Sequence, residues 1–358
     1  MKTVSIVRNL IDKISINNVE RLSFMEVCGT HTHAISRSGI RSMLPQNLTL
    51  LSGPGCPVCV TDEGMIDTAI EILNNHDVIL ATFGDMVRIR GSKECIWDQL
   101  HKRKNIVVVY SPLDCLEIAK NNPERQVVFF AVGFETTAPG IALAVKLAYE
   151  NKFHNLSILT SLKLMSPVLH SILREKQNKI HGIICPGHVA AVMGAGYFRF
   201  ITQEYEINAA ICGFDALDIA AGLYFLSKQF SADAEAAFFN LYESCVKEEG
   251  NGVAKKIMRE VFDIEDGKWR GIGEIRKSSL VINEKYSYFD ALKKLNIMPR
   301  DSEVKQNCNC RNVLLGNIIP NECMLFGKAC TPQKPAGPCM ISAEGSCSAY
   351  YKYREASF

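Results

Sequence analysis

At 358 residues, 47% of them hydrophobic and 22% charged, the chain is long enough for two or three domains, each with a substantial core. Its 40 Lys and Arg against 38 Asp and Glu leave a formal charge of +2, which excludes a general electrostatic pull toward nucleic acid or an anionic membrane. The longest unbroken apolar stretch, Val127 to Val132, falls far short of the roughly 18 to 20 residues that a membrane span needs.

The N-terminus sets Val4, Val7, Leu10, Ile11 and Ile14 at helical spacing, broken by charges as no signal-peptide core would be. A cytoplasmic location is expected. Structural disulfides are uncommon in a reducing cytosol, so the 14 cysteines read first as metal ligands or redox groups.

Eight short β-branched or apolar runs follow, each leading into a loop of small or polar residues and then a helical pattern. In chain order they are LSFMEV, LTLLSG, DVILAT, NIVVVYS, QVVFFAV, LSILTSL, GIIC and INAAIC. This alternation predicts an α/β fold of two doubly wound βα domains with mainly parallel sheets, separated near the polar stretch Asn121 to Arg125. The expected domains are 1–120, 121–230 and 231–358. Beyond Ser231 the pattern predicts helices over AEAAFFNLYESCVKEE and GVAKKIMREVF, a Gly-rich connection KWRGIGEIRKSS, and a loop-rich tail with too few apolar residues for its own core.

That tail carries Cys308, Cys310, Cys323, Cys330, Cys339 and Cys347. Cys310, Cys323, Cys330 and Cys347 have the spacing C-x12-C-x6-C-x16-C, without the paired CxxC knuckle that zinc ribbons favour. Widely separated thiolates near Pro and Gly suit a [4Fe–4S] cube, with zinc as the alternative. Cys308 and Cys339 are surplus to a four-ligand site.

In doubly wound sheets ligands gather where strand ends meet helix N-termini, and the unusual residues fall there. CGTHTH places Cys28, His31 and His33 within six residues, a thiolate and two imidazoles able to contact one transition metal, while Thr30 or Thr32 can instead cap the next helix. Cys56 and Cys59 of CPVC stand at a strand end and helix start, where the helix dipole favours a thiolate. They read as a redox dithiol, as metal ligands or as a structural pair. Glu135 and Thr137 of GFETTAPG and His188 of PGHV have the same strand-end placement, as catalytic groups or as turn and cap residues. No Walker loop, GxGxxG after a strand, GxSxG, HExxH or EF-hand pattern occurs.

Together these stretches resemble the HypD family of hydrogenase maturation factors. The resemblance rests on CGTHTHAISRSGI (28–40), GPGCPVCVT (53–61), GFETTAPG (133–140), PGHVAAVMGAGY (186–197) and the tail from Cys323 to Tyr353. Asp62 stands where the family more often has Pro, and CRNVLLG (310–316) replaces an RCGEVLRG-like stretch.

The resemblance implies a redox-active scaffold for the Fe(CN)2CO unit of [NiFe]-hydrogenases rather than a free-standing turnover enzyme. Iron would be held through Cys28 with a HypC-type chaperone, with cyanide delivered by a HypE-type donor. Electrons would pass through Cys56 and Cys59, themselves possible iron ligands, and a [4Fe–4S] cluster on Cys310, Cys323, Cys330 and Cys347. Glu135, Thr137 and His188 would hydrogen-bond cyanide nitrogens or move protons, with His31 a further catalytic residue beside Cys28. The expected state is a monomer entering hetero-complexes. The alternatives are an Fe–S-dependent disulfide reductase for thioredoxin-like clients, and a zinc-stabilised interaction protein.

Overall fold

The computed structural model describes residues 2–14, 21–102, 105–175, 180–232, 235–301 and 308–353. All eight apolar runs form strands: β1 (Leu22–Glu26), β2 (Leu48–Ser52), β3 (Val78–Phe83), β4 (Asn105–Val109), β5 (Gln126–Gly133), β6 (Leu156–Lys163), β7 (Gly182–Cys185) and β8 (Asn208–Ile211). Three more follow, β9 (Phe238–Asn240), β10 (Phe262–Trp269) and β11 (Gly273–Ile282). The helix expected over the AEAAFFNLYESC stretch is therefore not formed between 238 and 240, and the Gly-rich connection is the turn of the antiparallel β10–β11 hairpin.

The chain divides into two compact units that interleave along the sequence, instead of three consecutive stretches. The first comprises Met1–Cys56, Leu169–Asn251 and Cys308–Phe358; the second comprises Pro57–Val168 and Gly252–Asn307. The expected break at Asn121 to Arg125 lies inside the second unit, because β5 continues the sheet begun by β3 and β4. β7 instead returns to pair with β1.

In the first unit the sheet order is β2-β1-β7-β8-β9, with every pairing parallel. Leu22, Phe24, Leu48, Leu50, Ile184 and Ala210 form one buried face. Against it pack the helix Lys2–Asp12, through Val7 and Ile11, and the helix Ala216–Ser227, through Ile219, Leu223 and Leu226. The C-terminal segment joins this unit. Tyr350 lies under the Arg41 guanidinium, 4.2 Å from ring centroid to carbon, and its hydroxyl donates to the Leu50 carbonyl.

In the second unit the order is β10-β11-β6-β5-β3-β4, in which β11 alone runs antiparallel to the other strands. β5 is almost wholly buried, as a strand covered on both faces must be. Asp62 caps the helix Glu63–Asn75 by accepting the Gly64 N–H at 3.1 Å, a bond that a Pro side chain could not make. Among the described residues no helix is long and apolar enough to cross a membrane.

Strand order reverses direction once in each sheet. In the first unit the chain runs β1 to β2 on one side and resumes with β7 on the other; in the second it runs β3 to β4, then crosses back to β5. A crevice opens at the carboxyl ends of strands where neighbouring connections depart to opposite sides. CGTHTH and PGHV stand at the first such point, after β1 and β7, and GFETTAPG stands at the second, after β5.

Candidate functional site

Cys28 follows β1 by two residues and is the N-cap of the helix Gly29–Arg37, with extended backbone (φ −148°, ψ 123°). The helix thus begins inside the CGTHTH motif, at Gly29, and His31, Thr32 and His33 sit on its first two turns rather than in a loop. Two glycines fix the cysteine's position. A Cβ on Gly55 would lie 2.4 Å from the Cys28 nitrogen, and one on Gly29 would lie 2.5 Å from Glu344 Cβ. The Gly29 N–H donates to the Gly55 carbonyl at 3.1 Å, joining the CGTHTH and GPGCPVC loops.

Burial pushes the Cys28 thiol up to about 12, opposed by N–H groups of His31 and Thr30 at the helix start. It is therefore a thiol at neutral pH until a cation displaces its proton. Glu26 is completely buried beneath it. Its carboxylate accepts the Cys28 N–H at 3.1 Å and the Thr32 hydroxyl at 2.6 Å, while burial raises its pKa. Thr32 is thereby committed to Glu26 rather than to a helix cap.

His31 is completely buried, and burial lowers its pKa to about 4. Its Nε2 lies 3.0 Å from the Gly213 carbonyl, which can only accept, so that nitrogen carries the proton of the neutral ring. His31 stacks on Phe214 at 4.5 Å between centroids and 29°; His188 stacks on the same ring at 4.2 Å and 24°. Two rings so close and so nearly parallel to a third must occupy its opposite faces. His188 is the exposed end of this stack, and partial loss of water around its ring lowers its pKa.

His33 points elsewhere, edge-on to Tyr353 at 5.8 Å, so CGTHTH does not bring both imidazoles to one point. Cys212, directly after β8, is a buried thiol raised to about 12 chiefly by burial, with its sulfur 3.8 Å from His31 Nε2. Sequence reasoning passed over Cys212 and Phe214. The one available signal was their place in a strand-end loop, ICGFD.

Cys56 and Cys59 are disulfide-bonded to each other. Both are nearly inaccessible, 3% and 1% exposed. The Ser342 hydroxyl lies 3.4 Å from Cys56 Sγ.

The C-terminal cysteines gather in the same unit. Cys308 and Cys310 sulfurs are 2.8 Å apart, and a Cβ on Gly337 would lie 2.4 and 2.7 Å from them. The Ala336 N–H donates to Cys330 Sγ at 3.3 Å. Burial raises Cys347, and the neighbouring Cys310, Cys308, Cys330 and Cys323 raise it further; Cys310 has Cys339 beside it as well. Cys308 and Cys339, surplus by spacing, therefore belong to the group. Among the described residues no three Cys, His, Asp or Glu side chains stand in metal-holding geometry.

Glu135 and Thr137 belong to the second unit. Glu135 is completely buried, and its Oε1 accepts the Met165 N–H at 2.7 Å, tying the loop after β5 to the start of the helix after β6. Thr137 is the N-cap residue of the helix Ala138–Glu150, makes no side-chain cap bond, and packs on Gly133. Lys163, at the end of β6, is also buried there. It donates to Ser279 at 2.9 Å, and burial lowers its pKa to about 8.

The family model described as HypD, hydrogenase formation hypA family, matches residues 5–354. The chain is 36% identical to the hydrogenase maturation factor HypD of Escherichia coli over 356 residues, covering 99% of this chain and 95% of that one. It is 37% identical to a putative hydrogenase expression/formation protein of Methanocaldococcus jannaschii over 353 residues, 98% of each. Against HypD of Rhodobacter capsulatus it is 36% identical over 352 residues, 97% of this chain and 93% of the other. With its motifs at the switch points of two βα sheets and this near-complete match, the chain belongs to the HypD family of hydrogenase maturation factors.

Proposed function

We propose that this chain is a scaffold on which the Fe(CN)2CO unit of a [NiFe]-hydrogenase is assembled, with the iron as cargo on Cys28. The observation that carries this reading is the position of Cys28: a thiol at the switch point of the first sheet, with Glu26 accepting its N–H and the helix it caps carrying His31 of the His31–Phe214–His188 stack. Cys28 gives up its proton on binding iron, and the N–H groups of Thr30 and His31 stabilise the resulting thiolate. His188, at the exposed end of the stack, donates a hydrogen bond to a cyanide nitrogen, and neutral His31 keeps the stack in place. Thr137 and Glu135 are the hydrogen-bonding groups that the second unit offers at its own switch point.

The second element of the reading is redox. The gathered thiols, a backbone N–H aimed at Cys330 Sγ, and a glycine where any side chain would strike two sulfurs all suit an iron–sulfur cluster. Cys310, Cys323, Cys330 and Cys347 hold a [4Fe–4S] cluster in this proposal, with Cys308 and Cys339 alongside. Such a cluster supplies single electrons, and the Cys56–Cys59 pair stores two. The partners are a HypC-type chaperone sharing the iron and a HypE-type cyanide donor.

The test is anaerobic purification with iron and acid-labile sulfide quantified, and infrared spectroscopy after co-expression with the partners. Cluster iron and sulfide, with CN and CO bands that vanish in Cys28→Ala, are expected. Stoichiometric zinc without sulfide would sink the cluster assignment; bands that persist in Cys28→Ala would sink the iron site. In the alternative, a disulfide reductase for thioredoxin-like clients, Cys28→Ala retains dithiol turnover. Burial of both CPVC sulfurs favours the scaffold over a reductase that must admit a protein client.

A further inference from the structure

The segment from Cys339 to Glu344 touches three features of the first unit in six residues. Cys339 belongs to the C-terminal thiol group, Ser342 meets Cys56, and the backbone of Glu344 seats on Gly29 beside Cys28. Ser342 is completely buried, and its hydroxyl oxygen accepts the Glu344 N–H at 3.2 Å, which fixes where that oxygen sits. Cys56 is oxidised and has no S–H, so in the 3.4 Å contact the serine hydroxyl is the donor and the sulfur the acceptor.

We infer that Ser342 is a positioning residue for the CPVC disulfide: it selects Cys56 as the sulfur that departs with the electron pair when the bond is opened. This rests on the reading of Cys56 and Cys59 as a redox pair. The chemistry is directional. A reductant thiolate attacks Cys59 Sγ, forming a new S–S bond there and breaking the Cys56–Cys59 bond, and the electron pair goes to Cys56 as a thiolate. A second reductant thiol then releases Cys59, so that two monothiols become one disulfide and the protein gains two electrons.

Cys56 is only 3% exposed, so water is a poor solvent for the charge it acquires. The Ser342 hydroxyl is the donor in contact with that sulfur. A hydrogen bond to a charged group is stronger than one to a neutral sulfur, so the contact strengthens as the bond breaks. Stabilising the leaving thiolate accelerates departure and favours the reduced pair.

The experiment uses the full folded chain with 2-mercaptoethanol, a small monothiol, followed by acid quench, alkylation and peptide mapping of Cys56 and Cys59. In the wild type the trapped mercaptoethanol adduct is expected on Cys59. Ser342→Ala is expected to reduce about tenfold more slowly, to shift the thiol–disulfide equilibrium toward the disulfide by a similar factor, and to distribute the adduct over both cysteines. Ser342→Thr, which retains the hydroxyl, restores rate and regiochemistry if that group rather than packing is responsible.

Wild-type rate and adduct position in Ser342→Ala, or Ser342→Thr behaving as Ser342→Ala does, would overturn the assignment of Ser342 while leaving the pair redox-active. A wild-type disulfide that the monothiol does not reduce in the folded chain would overturn this assignment, and one that dithionite also leaves closed would overturn the redox reading of CPVC.

Discussion

At the scale of single residues, the site depends on what is missing from Gly55 as much as on what Cys28 supplies. A methyl group on Gly55 would press on the nitrogen and Cα of Cys28 at 2.4 and 2.5 Å, and backbone at the end of a central strand cannot yield as a flexible side chain does. Gly55→Ala is expected to cost about 1–3 kcal/mol of stability and, if Cys28 carries the iron as proposed, to abolish its capture although Cys28 is unchanged. Urea unfolding and the infrared bands of the partner-loaded protein measure both; bands of wild-type intensity would show that the cysteine tolerates the shift. Cys28, His31, Cys56, Cys59 and His188 were legible as candidates because reactive residue types stand at strand ends. Phe214 and Ser342 were not, since an aromatic ring or a serine gains its part here only from a neighbour distant in sequence, His31 and His188 in one case and Cys56 in the other.

At the scale of elements, the first eight strands announced themselves through short apolar or β-branched runs, which are most continuous where the strand is buried on both faces, as in β5. β10 gave no such signal. FDIEDGKW is an edge strand exposing Asp263, Ile264, Glu265 and Asp266, with a register shift near Gly267, so its charges mask the period-two pattern. The helix Gly252–Val261, which precedes this hairpin, is fastened by Glu260. That carboxylate receives Lys146 Nζ from the helix Ala138–Glu150 at 3.0 Å and the Tyr286 hydroxyl at 2.8 Å, with Lys285 at 3.4 Å.

Hydrogen bonds from Lys146 and Tyr286 hold the Glu260 carboxyl down at about 2, below its ordinary 4.5. A carboxylate depressed on folding stabilises the protein above the unfolded pKa, and the benefit fades as pH falls from 4.5 toward about 2. Glu260→Gln should therefore lower the urea midpoint at neutral pH, with the gap to wild type closing as pH drops through that window and as salt rises. A gap that stays constant down to the acid limit would assign the effect to packing instead.

At the scale of the whole molecule, sequence order misleads about which segments belong together. Strand existence can be read locally, but the return of β7 to the side of β1 is a long-range pairing, and it makes both units discontinuous. That return is also what puts PGHV beside CGTHTH. The C-terminal stretch completes the first unit, held by the Arg41–Tyr350 stack, by Gly316 against Met25 and Leu51, and by Glu344 on Gly29. Its short helices, Cys310–Leu314, Pro338–Ile341 and Ser346–Lys352, are each shorter than an isolated helix needs to be, so its order must come from docking and from whatever its thiols bind. If those thiols hold a cluster, removing iron from the anaerobically prepared protein with a chelator should speed amide exchange across 308–353, most at 339–344. Exchange in β5 and β6 of the second unit should keep its rate. Equal acceleration in both units would mean that iron stabilises the fold as a whole, and no change at 308–353 would mean that the segment is ordered by docking alone and needs no bound group.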